Sequence, residues 1–195
     1  MDETRRRLAE QLYEAGHAHD QTKADRLERL RNVEPPTAEL LGVLIRGFAA
    51  KRILELGTSN GYSTLWLGDA AQATGGSVVT VDTDAGRTEL ARENVAAAHL
   101  DGTVELRTED AALTLQGSVD GEWDFIFLDA ERPFYAAYLP DLTRILTAGG
   151  ALAVDNVISH EHELAEFTAL IESEPAFTQT VVPVGAGLRL AVKVV

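Results

Sequence analysis

From residue 52 onward, short apolar runs alternate with longer amphipathic stretches. The runs Arg52–Leu56, Ser77–Val81, Thr103–Arg107, Trp123–Leu128 and Gly150–Val154 are mostly apolar and brief, as expected for strands buried on both faces of a parallel sheet. Between them, Tyr62–Ala73, Ala85–His99, Ala111–Gln116 and Phe134–Leu146 read as helices, and a further helix is expected over His160–Ser173. Phe177–Val184 and Leu188–Val195, around Gly185-Ala186-Gly187, predict a hairpin. The whole pattern predicts an α/β fold: a doubly wound, mostly parallel Rossmann-like sheet closed by an antiparallel hairpin.

The first 36 residues follow a different pattern. Residues 2–31 are charged and helix-prone, with a thin apolar stripe of Leu8, Leu12, Ala15, Leu27 and Leu30. Gly16-His17-Ala18-His19-Asp20 reads as a break between two helices. Thr37, after Glu34-Pro35-Pro36, reads as the cap of a helix from Ala38 to about Phe48. With no repeat and no second domain in sight, 1–195 is taken as one domain: a helical cap segment over 1–36 and the α/β core over 37–195. The N-terminal helices lack an obvious core partner, which motivates the expectation of a homodimer built on them.

Composition then removes several classes of partner. The net charge of the 195 residues is −14, against the basic footprint of a nucleic-acid binder and against an anionic membrane surface. There is no cysteine, so disulfides and thiolate metal sites are excluded, and a cytoplasmic protein is expected. No apolar run reaches the length of a membrane span, and the N-terminus lacks the apolar core of a signal peptide.

The most informative stretch is residues 53–63, Ile-Leu-Glu-Leu-Gly-Thr-Ser-Asn-Gly-Tyr-Ser. A strand carrying Glu55 runs into a turn with Gly57 and Gly61, and a helix follows. Gly57 permits the tight turn, and Gly61 is read as letting backbone approach a ligand. Dinucleotide sites use G-x-G-x-x-G here to hold a pyrophosphate. This turn is G-x-x-x-G with a carboxylate beside it, which repels phosphate and suits an amino group. It therefore favours S-adenosylmethionine (SAM) over NAD.

In an open α/β sheet, ligands sit beyond the carboxyl ends of the strands, and every expected strand delivers an acidic group there. Asp82 suits a ribose, whose two hydroxyls a carboxylate can accept, or a helix cap. Asp110 either caps a helix or, with Ala111, meets an adenine edge. Asp129 and the pair Asp155-Asn156 end adjacent strands. Two carboxylates and an amide form an all-oxygen set suited to a hard cation such as Mg²⁺, or the two Asp cap the helices that follow.

From about Val33 to the C-terminus, the chain resembles the small, metal-dependent SAM O-methyltransferases of the catechol and caffeoyl-CoA type. The resemblance is carried by Leu54–Ser63, by Val81-Asp82, by Phe127-Leu128-Asp129-Ala130 with Tyr135 and Tyr138, by Gly149-Gly150 leading to Val154-Asp155-Asn156-Val157, and by Val182–Gly187. It implies SAM contacts at Glu55, Gly57, Thr58, Ser63, Asp82 and Ala111, with Val33 in a segment covering the cofactor. It implies metal ligation by Asp129, Asp155 and Asn156, and Asp129 is counted with the cofactor contacts and the catalytic group as well. The metal would orient a catechol diol and lower its pKa, while alignment with the S–CH₃ bond supplies much of the barrier reduction.

One departure stands out. The family places a lysine three residues after the first metal Asp, where this chain has Arg132. A guanidinium stays protonated; it can hold a phenolate or a substrate carboxylate but cannot act as base. His160 and His162 are the remaining candidates for that role. Tyr135, Tyr138 and Trp66 are candidate pocket walls. The short loop after Asp155-Asn156 speaks against a coenzyme-A ester. A metal-independent SAM methyltransferase and a non-catalytic SAM-binding protein are the alternatives. The acceptor is a small molecule in either enzymatic case.

Overall fold

A computed structural model describes residues 1–194. Its strands are β1 (Arg52–Leu56), β2 (Ser77–Asp82), β3 (Val104–Thr108), β4 (Trp123–Leu128), β5 (Leu146–Val154), β6 (Phe177–Val182) and β7 (Leu188–Lys193). They form one sheet in the order β3-β2-β1-β4-β5-β7-β6. The first five are parallel, and β7 runs antiparallel to both β5 and β6. This is the expected doubly wound sheet with its closing hairpin. Val195, the last residue of the expected hairpin, lies outside the described residues.

Side chains alternate across each strand, so the sheet divides the core. Ile53, Val78, Phe125 and Ala151 pack on one side with α2 (Pro35–Phe48) and α3 (Tyr62–Thr74). Leu54, Val79, Ile126 and Leu152 pack on the other with α5 (Ala111–Gly117), α6 (Tyr135–Ile145) and α7 (Ala165–Ser173). The helix α4 (Ala85–Ala97) joins β2 to β3.

Three expectations change. The break at Gly16–Asp20 is absent: α1 runs unbroken over Glu3–Gln21. Gly16 is there for a close contact, because a Cβ on it would lie 2.4 Å from Asn32 Nδ2. Thr37 is not a cap. α2 begins at Pro35 with Glu34 as N-cap, using proline's fixed φ at the first helical position. The helix expected from His160 starts only at Ala165. Residues 157–159 instead donate their backbone N–H groups to the carbonyls of Gly187 and Ala186 in the β6–β7 loop.

α1 also has a core partner. Ala9 is buried, and Arg5 donates to the Ala98 carbonyl (2.9 Å), to Asp69 (2.9 Å) and to Gln72 (2.8 Å) on and beside α3. The premise behind the dimer expectation therefore does not hold. Among the described residues, no helix is long and apolar enough to cross a membrane.

Candidate active site

The parallel strands finish in step. Leu56 pairs with Val81 and with Leu128, and Leu128 pairs with Val154. The next residues, Gly57, Asp82, Asp129 and Asp155, therefore emerge along one edge. A cavity of about 530 Å³ opens there, within the range of small-molecule sites.

The turn after β1 owes its shape to two close approaches. Gly57 has φ 106°, and a Cβ on it would lie 2.0 Å from the Asp129 carbonyl oxygen. Gly61, at φ 84°, begins α3 and faces Ala91 of α4, 3.1 Å from where its Cβ would be. Its freedom thus serves helix packing, and it is not on the cavity wall. Nor is Glu55. That carboxyl is fully buried beneath α3, where Ser63 Oγ donates to it at 2.6 Å and Thr64 Oγ1 at 2.5 Å. Burial pushes it up to about 7, against the pull of the Ser63, Thr64 and Thr80 hydroxyls.

On the β1–β2–β3 side, Gly57, Thr58, Ser63, Asp82, Asp110 and Ala111 all line the cavity. Asp82 is held by two backbone donors, Ser59 N–H on Oδ2 and Asp84 N–H on Oδ1, each at 2.9 Å. Each oxygen keeps a free lone pair. The cap of α4 is Asp84, not Asp82. Asp110 caps α5, accepting from Ala112 N–H at 2.8 Å.

Residues 26–34 form a strap over this side, and Val33 lies buried within it. Asp20 accepts from the backbone N–H groups of Leu30 (2.6 Å) and Arg31 (2.8 Å). Ser59 Oγ donates to the Leu30 carbonyl at 2.6 Å, and Arg87 donates to the carbonyls of Leu27 and Arg29. At the far end Glu131 pairs with Arg26 (3.0 Å) and Arg31 (2.6 Å). Burial works against the Glu131 charge, but Arg31 and Arg26 together outweigh it and hold the carboxyl below the usual range.

On the β4–β5 side, Asp129, Asp155 and Asn156 converge. Asn156 Nδ2 donates to Asp129 Oδ1 and to Asp155 Oδ2, both at 3.1 Å. Asp155 is 2% exposed, and its Oδ1 is buried without a partner. Asp129 is half-buried on the cavity wall. Burial raises both carboxyls, and the charge of Asp129 raises Asp155 further. Among the described residues no three His, Cys, Asp or Glu side chains gather as a metal cluster. The donor set here is two carboxylates and an amide. A lone buried carboxylate oxygen beside a second carboxylate fits a hard cation, which would take the amide oxygen in place of the two N–H bonds.

Arg132 is buried and lines the cavity, with Nε donating to Glu163 at 2.8 Å. His160 also lines it, with Nδ1 at 2.7 Å from Ser159 Oγ. Burial lowers the His160 pKa, and the positive charge of Arg132 lowers it further. His162 is 97% exposed and lies away from the cavity wall. Tyr138 and Phe134 line the cavity with ring centroids 6.2 Å apart. Tyr135 lies beneath the wall, its hydroxyl accepting from Ala130 N–H (2.9 Å) and donating to the Ala130 carbonyl (3.1 Å). Trp66 is elsewhere, in a small hollow with Tyr13 and Tyr62.

A family model described as O-methyltransferase matches residues 18–194. The chain belongs to the O-methyltransferase family. It is 35% identical over 130 residues to a catechol O-methyltransferase of Niastella koreensis, covering 65% of this chain and 58% of that protein. It is 32% identical over 171 residues to a probable caffeoyl-CoA O-methyltransferase of Dictyostelium discoideum, covering 78% and 73%. Among solved structures, the O-methyltransferase from Bacillus cereus in complex with SAH superposes with TM-score 0.79 at 29% identity, covering 95% of this chain and 90% of that one. The chain thus spans less than two thirds of the length of the Niastella koreensis relative.

In this O-methyltransferase family member, sequence reasoning missed the strap arginines, Glu131 and Phe134 as parts of the site. The strap arginines carried no signal beyond their charge; Val33 alone, through the family resemblance, pointed to a segment over the cofactor. The dipeptide Glu131-Arg132 following Asp129-Ala130 was the one local hint that ion pairs frame the cavity.

Proposed function

We propose that the chain is a SAM-dependent O-methyltransferase acting on a hydroxyl of a small, catechol-like aromatic acceptor, with a divalent cation held by Asp129, Asp155 and Asn156. The observation that carries this reading is that Asp82 with its turn and the Asp129/Asp155/Asn156 set open onto one cavity.

SAM supplies a methyl group on a sulfonium that departs as a neutral thioether. In this reading Asp82 accepts the ribose hydroxyls on the lone pairs its backbone donors leave free. Thr58 and Ser63 line the approach from the β1 turn, and the strap with Val33 keeps water from the bound nucleoside. A divalent cation on the two carboxylates and the amide would lower the pKa of a catechol hydroxyl. With Nδ1–H donating to Ser159 Oγ, His160 keeps Nε2 free to take the hydroxyl proton. Its lowered pKa keeps it neutral and competent to do so. Arg132 remains cationic throughout.

Calorimetric titration of SAM, followed by methyl transfer to catechol with Mg²⁺ or with EDTA, tests the reading. SAM binding with cation-dependent transfer is expected; failure to bind SAM would overturn it. The Asn156 amide bridging both carboxylates favours a second reading, in which the two Asp only orient groups and no cation takes part. Transfer that survives EDTA selects that second reading.

A further inference from the structure

Arg132 brings a buried guanidinium to the cavity with a single protein partner. Its side chain is 4% exposed, and the bond from Nε to Glu163 is its only side-chain hydrogen bond among the described residues. Nη1 and Nη2 therefore have no protein acceptor, although the residue lines the cavity. Nη1 and Nη2 are not sealed from solvent and are open to an acceptor in the cavity. The position makes physical sense if an acceptor arrives with the ligand.

The neighbourhood repeats the imbalance. Arg26 and Arg31 share the one carboxylate of Glu131, and Arg132 has Glu163. Three guanidinium groups at this end have two paired carboxylates between them, on a chain whose net charge is −14. Asp129 and Asp155 lie near enough for the Arg132 charge to act on both. Their hydrogen bonds, however, come from Asn156, not from Arg132. Phe134 and Tyr138, with rings inclined by 27°, add a flat aromatic wall beside this charge.

We infer that Arg132 is a specificity-determining residue of the acceptor site and that it selects hydroxylated aromatic acids. The ring lies against Phe134 and Tyr138, and Nη1 and Nη2 grip the carboxylate end-on. Two parallel N–H donors match the spacing of two carboxylate oxygens, which lysine at this position cannot do. The cavity of about 530 Å³ must hold SAM as well, so the acid is a single-ring one. This inference rests on the methyltransferase reading above.

The test compares catechol with 3,4-dihydroxybenzoate, which differ only in the carboxylate. Each is titrated by calorimetry into SAM-loaded protein with Mg²⁺, and kcat/KM is measured for each. Wild type should prefer the acid by roughly 10–100-fold, as for a charge-assisted pair. In Arg132→Gln the ratio should collapse toward unity, chiefly through KM and through the calorimetric Kd; Arg132→Lys should retain part of it. Thermal melts establish that each variant is folded, and Glu163→Gln, which leaves both Nη groups in place, should keep the preference. SAM binding with equal affinity for both acceptors, or with affinity for neither, overturns the inference and leaves the cofactor assignment intact. An equal fall for both acceptors in Arg132→Gln marks a general structural role and overturns it too. Absence of SAM binding overturns the methyltransferase reading itself, and the inference with it.

Discussion

Gly57 lies so close to Asp129 that a β-carbon on it would sit 2.0 Å from the Asp129 carbonyl oxygen. The turn after β1 and the end of β4 are thus fitted to one another at a single residue. Asp129 N–H also donates to the Leu56 carbonyl at 2.9 Å. Gly57→Ala must strain a φ of 106° and displace backbone at the same time. A loss of about 3 kcal/mol or more in stability is expected, with SAM affinity falling as well. Denaturant unfolding and SAM titration of the variant check this; wild-type values for both would refute the fitted-contact account.

Glu55 gives a pH dependence with a definite sign. Its carboxyl has an ordinary value of 4.5 and is raised by burial to about 7 in the fold. Folding therefore favours the protonated form. The stabilisation is complete below pH 4.5 and is lost as pH rises through about 7. Glu55→Gln has no such titration, so it should gain on wild type between pH 5 and pH 8 by up to about 3 kcal/mol. Thermal melts across that range decide the matter, and a difference independent of pH would contradict it.

Asp82 should matter for the nucleoside and little for the sheet. Asp82→Ala removes the two acceptors for Ser59 and Asp84 and the ribose partner proposed above. SAM affinity should drop by roughly 10–100-fold, as for hydrogen bonds to a charged group. Asp82→Asn, which keeps one acceptor oxygen, should fall in between. Calorimetry that finds unchanged SAM affinity in Asp82→Ala would exclude the ribose contact.

Asp155 sets stability against activity. In EDTA, Asp155→Asn removes a carboxyl that burial and Asp129 force toward its protonated form and should raise the melting temperature, by about 1–3 kcal/mol of stability. Mg²⁺ should raise the melting temperature of wild type and leave that of the variant in place, while methyl transfer to catechol is lost. An equal Mg²⁺ effect on both proteins would put the ion elsewhere.

The central strands β1, β2, β4 and β5 were legible in sequence because burial on both faces leaves mostly Val, Ile, Leu, Phe and Ala. Asp82, Asp129 and Asp155 were legible because they follow those runs directly. What was misread depended on distant partners. Gly16 resembles a helix break until Asn32 is seen packed against it. Ser159 resembles a helix cap, but its hydroxyl meets His160 and its N–H meets Ala186, so no helix starts there. Pro35 did carry a local signal for the start of α2, and Thr37 distracted from it. The strap arginines had none: nothing near Arg26 or Arg31 in sequence points to Glu131, 105 and 100 residues away.

The cavity has two walls, joined where Gly57 meets Asp129 and where Glu131 meets the strap. One wall comes from the ends of β1, β2 and β3 with the strap; the other comes from the ends of β4 and β5 with residues 130–138 and 156–160. Only the second wall holds Arg132, Phe134, Tyr138 and His160, and those residues sit on a 3-10 turn, a helix start and a loop outside the sheet. Substitution of those four side chains leaves the hydrogen bonds of Asp82 untouched, while Glu131 beside them ties this wall to the strap through Arg26 and Arg31. The architecture is accordingly modular. Acceptor range can drift, or be engineered, by rewriting a few loop residues on one wall while the nucleoside wall is inherited unchanged.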